Sequence, residues 1–146
     1  MAGAWLGLLL SVAFLAAPAA FAVLSKDMAG LLVGRLFARE AALSLMLSVL
    51  FVMALRKLSE HTAQDADELR ALGTDPRLWA TLGVMLCTLL GYYALQPMMA
   101  AARLGQGTLS FGALHGISVG FFGLKILLLS MLAWRLSRSA GPALKG

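Results

Sequence analysis

Charge, cysteine and histidine are all scarce in this chain. Of its 146 residues only 13% are Asp, Glu, Lys or Arg, against roughly a quarter in a typical soluble domain. A chain this short has a large surface for its volume, and so few charged groups cannot clothe it in water. There is a single cysteine, Cys87, which excludes an intrachain disulfide and a cysteine-based zinc site. Set within an apolar run, it reads as a small buried hydrophobe. Only two histidines are present. His61 falls in a polar stretch, which leaves His115 alone among the apolar runs and rules out bis-histidine haem ligation. No Gly-rich phosphate loop, Cys/His metal spacing or nucleophile–base pair can be found. We therefore expect no metal, no cofactor and no enzymatic activity.

Hydrophobic residues, by contrast, make up 60% of the chain. They fall into four long runs, at 4–24, 29–55, 78–101 and 111–134. About 20 apolar residues span the hydrocarbon of a bilayer. The first run has no Lys or Arg before it and is long for a signal-peptide core, so a retained helix is expected. The second holds Arg35, Arg39 and Glu40 in its first third. Between the second and third runs lies a polar linker, 56–77. There Thr62 caps a short expected helix, with Asp65, Asp67 and Glu68 early, Arg70 late and Gly73 as the stop, charges that complement a helix dipole. Asp75 and Pro76 then restart the chain. The other two connections are short, which implies antiparallel neighbours. The expected architecture is all-α: one domain over 1–146, an integral membrane up-down four-helix bundle.

The formal charge is +5. A basic chain can signal nucleic acid, but these basic residues punctuate the ends of apolar runs instead of forming a stripe. That suits phospholipid headgroups, so the expected partner is the lipid bilayer and not nucleic acid. With four spans both termini share a side. That side carries seven Lys and Arg (Arg56, Lys57, Arg70, Arg77, Arg135, Arg138 and Lys145), the other four (Lys26, Arg35, Arg39 and Arg103). The positive-inside rule then puts both termini in the cytoplasm.

Between spans the hydrophobic effect is weak, and close approach through small residues does more. Gly112, Gly116 and Gly120 recur every four residues on one face of the fourth run. Gly30 and Gly34, continued by Ala38, Ala41 and Ser48, do the same on the second. Both faces are expected to meet partner helices, within the chain or in a homo-oligomer or other membrane protein.

Several segments resemble a known family. The first run ends Ala17-Pro18-Ala19-Ala20-Phe21. The second opens Ala29-Gly30-Leu31-Leu32-Val33-Gly34-Arg35-Leu36-Phe37, and the fourth contains Leu114-His115-Gly116-Ile117-Ser118. Together they resemble the small bacterial four-span family related to eukaryotic transmembrane protein 205. The resemblance covers most of the chain outside the polar linker. It implies a four-helix protein of the bacterial inner membrane, with no catalytic residues to carry over. A weaker likeness to the membrane domain of copper-resistance proteins lacks the Met and His clusters that copper handling needs.

Ionisable groups within spans are costly and are functional candidates. At about 1.5 Å per residue, Glu40 lies about 24 Å above Arg56, Tyr92 and Gln96 about 22 and 28 Å above Arg77, and His115 about 30 Å above Arg135. Arg39, Glu40, Tyr92, Gln96 and His115 are thus expected at one level near the outer interface, roofed by Pro18 and Phe21. They would form either a small polar ligand or ion site or a structural network. Lys125, about 15 Å above Arg135, is expected near the midplane. Glu40 is the only acid within the spans and the one carboxylate available to it, about 9 Å higher along the axis.

These features favour an accessory or partner-binding membrane subunit with a small intramembrane polar site. A transporter or exporter of an ion or small molecule, and a quinone- or haem-linked redox protein, are the alternatives.

Overall fold

A computed structural model describes residues 2–62 and 73–139. Four helices account for nearly all of them. We label them α1 (Ala2–Val23), α2 (Lys26–Thr62), α3 (Pro76–Arg103) and α4 (Phe111–Ser139). All four are long and apolar enough to cross a membrane. The helix expected after Thr62, with Asp65, Asp67, Glu68 and Arg70, lies outside the described residues, as does Lys145.

Helix ends follow local chemistry. Asp75 caps α3, its Oδ1 accepting from the Arg77 backbone N–H at 2.8 Å, and Pro76 occupies the first turn, where a missing N–H costs nothing. Ser110 Oγ accepts from the Ala113 N–H at 3.2 Å at the start of α4. Between α3 and α4 the chain turns through Gly105 (φ +71°) and Gly107 (φ +121°), conformations that favour glycine. Helix α2 is longer than the apolar run suggests: it begins at Lys26 and continues past Leu55 to Thr62. Neither Gly nor Pro interrupts residues 56–62, and Arg and Lys are good helix formers, so losing apolar character does not end the helix.

Two helices are not regular. A π-turn occupies Ser11–Ala16 in α1 and another Leu89–Ala94 in α3. Each is followed closely by a proline, Pro18 and Pro97. Proline offers no N–H and crowds the carbonyl four residues back. Widening the turn just before it relieves that crowding.

Helix α4 packs against α1 and α3, and α2 packs against α3 and α1. The α3–α4 pair is antiparallel: Gly83 meets Leu128, and Gly91 meets Phe121. The apolar interior forms two clusters. One gathers Trp5, Leu9, Val84, Leu129 and Leu132; the other gathers Leu95, Met99 and Leu114. The outer surface reverses the usual pattern of a soluble protein. Val23 is 83% exposed and Leu127 67%, while Lys125 is 2% exposed and Glu40 4%.

Candidate functional site

Among the described residues the interior holds six polar or charged ones: Glu40, Ser44, Ser48, Thr81, Thr88 and Lys125. Three of these need no partner beyond their own helix. Ser48, Thr81 and Thr88 each donate to the carbonyl four residues back, at 2.8 Å, a common way for a hydroxyl to satisfy itself inside a helix. The other three form a network. Lys125 Nζ donates to Glu40 Oε1 at 2.7 Å. Ser44 Oγ donates to the same oxygen at 2.5 Å. Trp5 Nε1–H donates to Ser44 Oγ at 3.0 Å. The chain Trp5–Ser44–Glu40–Lys125 thus joins α1, α2 and α4.

The backbone explains why the pair can form. Helices α2 and α4 are not among the closely packed pairs, so the glutamate and the lysine reach across the middle towards each other. Long side chains suit that gap. Phe37 of α2 and Phe122 of α4 bridge it too, edge to face with centroids 5.4 Å apart. The Lys125 ammonium also lies 5.7 Å from the Phe122 ring, a distance at which the ring quadrupole still attracts a cation. On α3, Cys87 is a buried free thiol. Among the described residues no buried side-chain N or O lacks a partner.

Lys125 and Glu40 therefore meet, as the sequence allowed. Each sits near the middle of its apolar helix, Lys26–Leu58 and Phe111–Arg138.

The wider cluster does not assemble around Glu40. Arg39, the next residue along α2, is exposed. His115 is exposed and stacks on Phe111, with centroids 5.9 Å apart, and Arg103 lies 4.6 Å from the same ring. Tyr92 is half-buried beside Tyr93, edge to face at 5.2 Å, and interacts with Gln96 one turn on. Pro18 and Phe21 are exposed and roof nothing. The reason is azimuth: equal height does not turn side chains on three helices towards one point.

The glycine face of α4 lies outside the chain's own helix contacts, whereas the α2 face is buried within the chain at Ala41 and Ser48. A Cβ on Gly30, Gly34, Gly112, Gly116 or Gly120 would meet nothing within 4 Å. Close packing instead uses α3. A Cβ at Gly83 would come 2.8 Å from Leu128 Cδ1, and one at Gly91 2.6 Å from Phe121 Cβ. Beside Gly91, Ser118 Oγ donates to its carbonyl at 2.7 Å, within the π-turn. Gly83, Cys87 and Gly91 form a small-residue stripe four apart that the sequence reading missed; counting cysteine as small would have revealed it. Ser44 and Trp5 were missed as well. Ser44 was findable, one turn from Glu40. Trp5 was signalled only by the rule that a buried indole N–H takes an acceptor.

A family profile described as a domain of unknown function, DUF4149, matches residues 1–107. The chain belongs to the DUF4149 family. The match covers α1 to α3 and so includes Trp5, Glu40, Ser44 and Cys87 of the DUF4149 domain. It ends before α4, which brings Lys125. No curated protein and no solved structure matches the chain.

Proposed function

We propose that this DUF4149 protein is a non-enzymatic, multi-pass subunit of the bacterial inner membrane that works by binding another membrane component. In this reading its helices form an up-down bundle with both termini cytoplasmic, and the family is kin to eukaryotic transmembrane protein 205. The carrying observation is the Glu40–Lys125 pair. It is joined by Ser44 and Trp5, and both of its side chains are almost wholly buried. Such a closed arrangement fits an internal brace better than a passage. The glycine face of α4, exposed and free of internal contacts, is then where a partner's apolar helix would lie close.

Affinity purification from mild detergent tests this. A stoichiometric membrane partner should co-purify, and Gly116→Leu should release it without lowering the thermal midpoint of the purified chain. A monodisperse monomer across several detergents would sink the reading.

Transport is the second reading, favoured by one detail. Both Ser44 and Lys125 bond Glu40 at Oε1, so a proton or small cation would be taken at Oε2. Liposomes carrying the protein should then show a cation flux that Glu40→Gln abolishes. Flux that is absent, or indifferent to the change, removes this reading.

A further inference from the structure

Helix α2 carries two arginines, Arg35 and Arg39, one turn apart within its apolar span, and both are exposed. Glu40, the residue after Arg39, meets Lys125 in the interior. Arg39 therefore stands at the level of that pair, near the middle of the span. It lies about 20 Å along the helix from Lys26, and Arg35 about 14 Å. Helix side chains tilt towards the N-terminus, so both arginines can rise towards the Lys26 end. Arg35 comes closer to headgroups that way. Arg39, a turn deeper, stays in hydrocarbon, where an arginine is costly. Their surroundings are apolar: Met28, Leu32, Leu43 and Met46 share the same side at about 100° per residue, and all are exposed. Nothing in the chain answers the charge. Among the described residues neither arginine has a hydrogen-bond, ion-pair or ring partner. The four spans contain only two acids, Asp27 and Glu40. Asp27 is about 12 Å along the helix from Arg35, and Glu40 is engaged by Lys125 and Ser44. A second copy of the chain has no spare acid either, and laid face to face it would set arginine against arginine, which repel.

We propose that this face of α2 docks a membrane-spanning helix of a different protein, one that carries carboxylates one turn apart at the depth of Arg35 and Arg39. Arginine forks hold carboxylates through two parallel hydrogen bonds, and the exposed leucine and methionine side chains on either side pack against the rest of the incoming helix. Ionisable groups within spans are tolerated when they pair, so each helix supplies what the other lacks. The inference rests on the reading of a partner-binding membrane subunit and adds to it a second face, with the chemistry that recognises the partner there.

The experiment measures energy transfer between the labelled full chain and synthetic spanning peptides in phosphatidylcholine liposomes. The probe is a leucine–alanine helix with lysines at both ends and two central glutamates four residues apart; its control carries glutamines instead. The glutamate peptide should associate roughly tenfold more tightly than the glutamine peptide. Arg35→Gln/Arg39→Gln should erase the difference. Arg35→Lys/Arg39→Lys keeps the charge without the fork and should lose part of it, and this variant decides the matter if the glutamine one does not fold. Gly116→Leu, on α4, should leave the difference intact. Equal affinity for the two peptides, or a preference that survives loss of both arginines, overturns the proposal and leaves the α4 face standing. Protein that does not float with the liposomes overturns both. Arginine-dependent transfer between two labelled copies of the chain gives the face to a homo-oligomer. Phosphatidylglycerol that abolishes the glutamate preference, and is itself retained through the same arginines, gives it to lipid phosphate. Either outcome removes the acidic helix.

Discussion

The two faces of α4 share one helix and behave in opposite ways. One carries Leu114, Ser118, Lys125, Leu129 and Leu132 and is turned inward; the other carries Gly112, Gly116 and Gly120 and touches nothing within the chain. Gly116 lies nine residues from Lys125, half a turn around the helix at about 100° per residue. Glycine regularity proposed one face as the packing seam, and a misplaced charge marked the other. The charge was the better guide. A glycine costs a helix in an apolar solvent little wherever it lies, whereas a lysine has few tolerable places. Its position is over-determined by the need for a carboxylate and for exclusion from hydrocarbon.

The largest effect should come from breaking the pair on the inward face. Lys125→Met leaves a buried, uncompensated carboxyl. It should lower stability by about 3–5 kcal/mol, read as a fall in the thermal midpoint in detergent. The double variant Glu40→Leu/Lys125→Met should recover most of that loss, since an apolar pair of similar volume can replace a buried ion pair. A double variant as unstable as the single would show that the charges do more than brace the helices.

A middling effect should separate the two kinds of glycine. Gly91→Val forces a methyl group against Phe121 and should cost about 1–3 kcal/mol, while Gly116→Ala should leave the midpoint of the isolated chain unchanged or raise it. If both variants lose stability equally in a monomeric preparation, the assignment of α4's faces is wrong. The smallest effect belongs to Trp5→Phe, which keeps the ring but drops the bond to Ser44. About 1 kcal/mol is expected, vanishing when Ser44→Ala is already present. An undiminished effect in the Ser44→Ala background would place the role of Trp5 in packing alone.

Much of the fold was legible because lipid-sized apolar runs are a coarse and strong signal. The number of helices, the Asp75–Pro76 restart of α3 and the burial of Cys87 were all readable. Axial rise alone carried the site less well. Heights along a helix placed Tyr92, Gln96 and His115 near one another, but convergence also depends on which way each side chain points. The rest of Glu40's network, Ser44 bonded to it and Trp5 bonded to Ser44, consists of a hydroxyl and an indole, groups too common in membrane helices to stand out. The π-turns were written in the sequence as Pro18 and Pro97, but a proline says only that the helix must yield, not whether it kinks or widens.

The cross-brace also has an order in time. Glu40 precedes Lys125 by 85 residues, so at ribosomal speeds of about 5–20 residues per second its carboxyl waits roughly 4–17 s for its counter-charge. During that interval the first three helices hold Glu40 without the ammonium that later meets it. Arrival of the last helix ends the wait. A nascent chain stopped short of α4 therefore differs from the completed one at a single buried contact, in which Ser44 alone is left to hold the carboxyl.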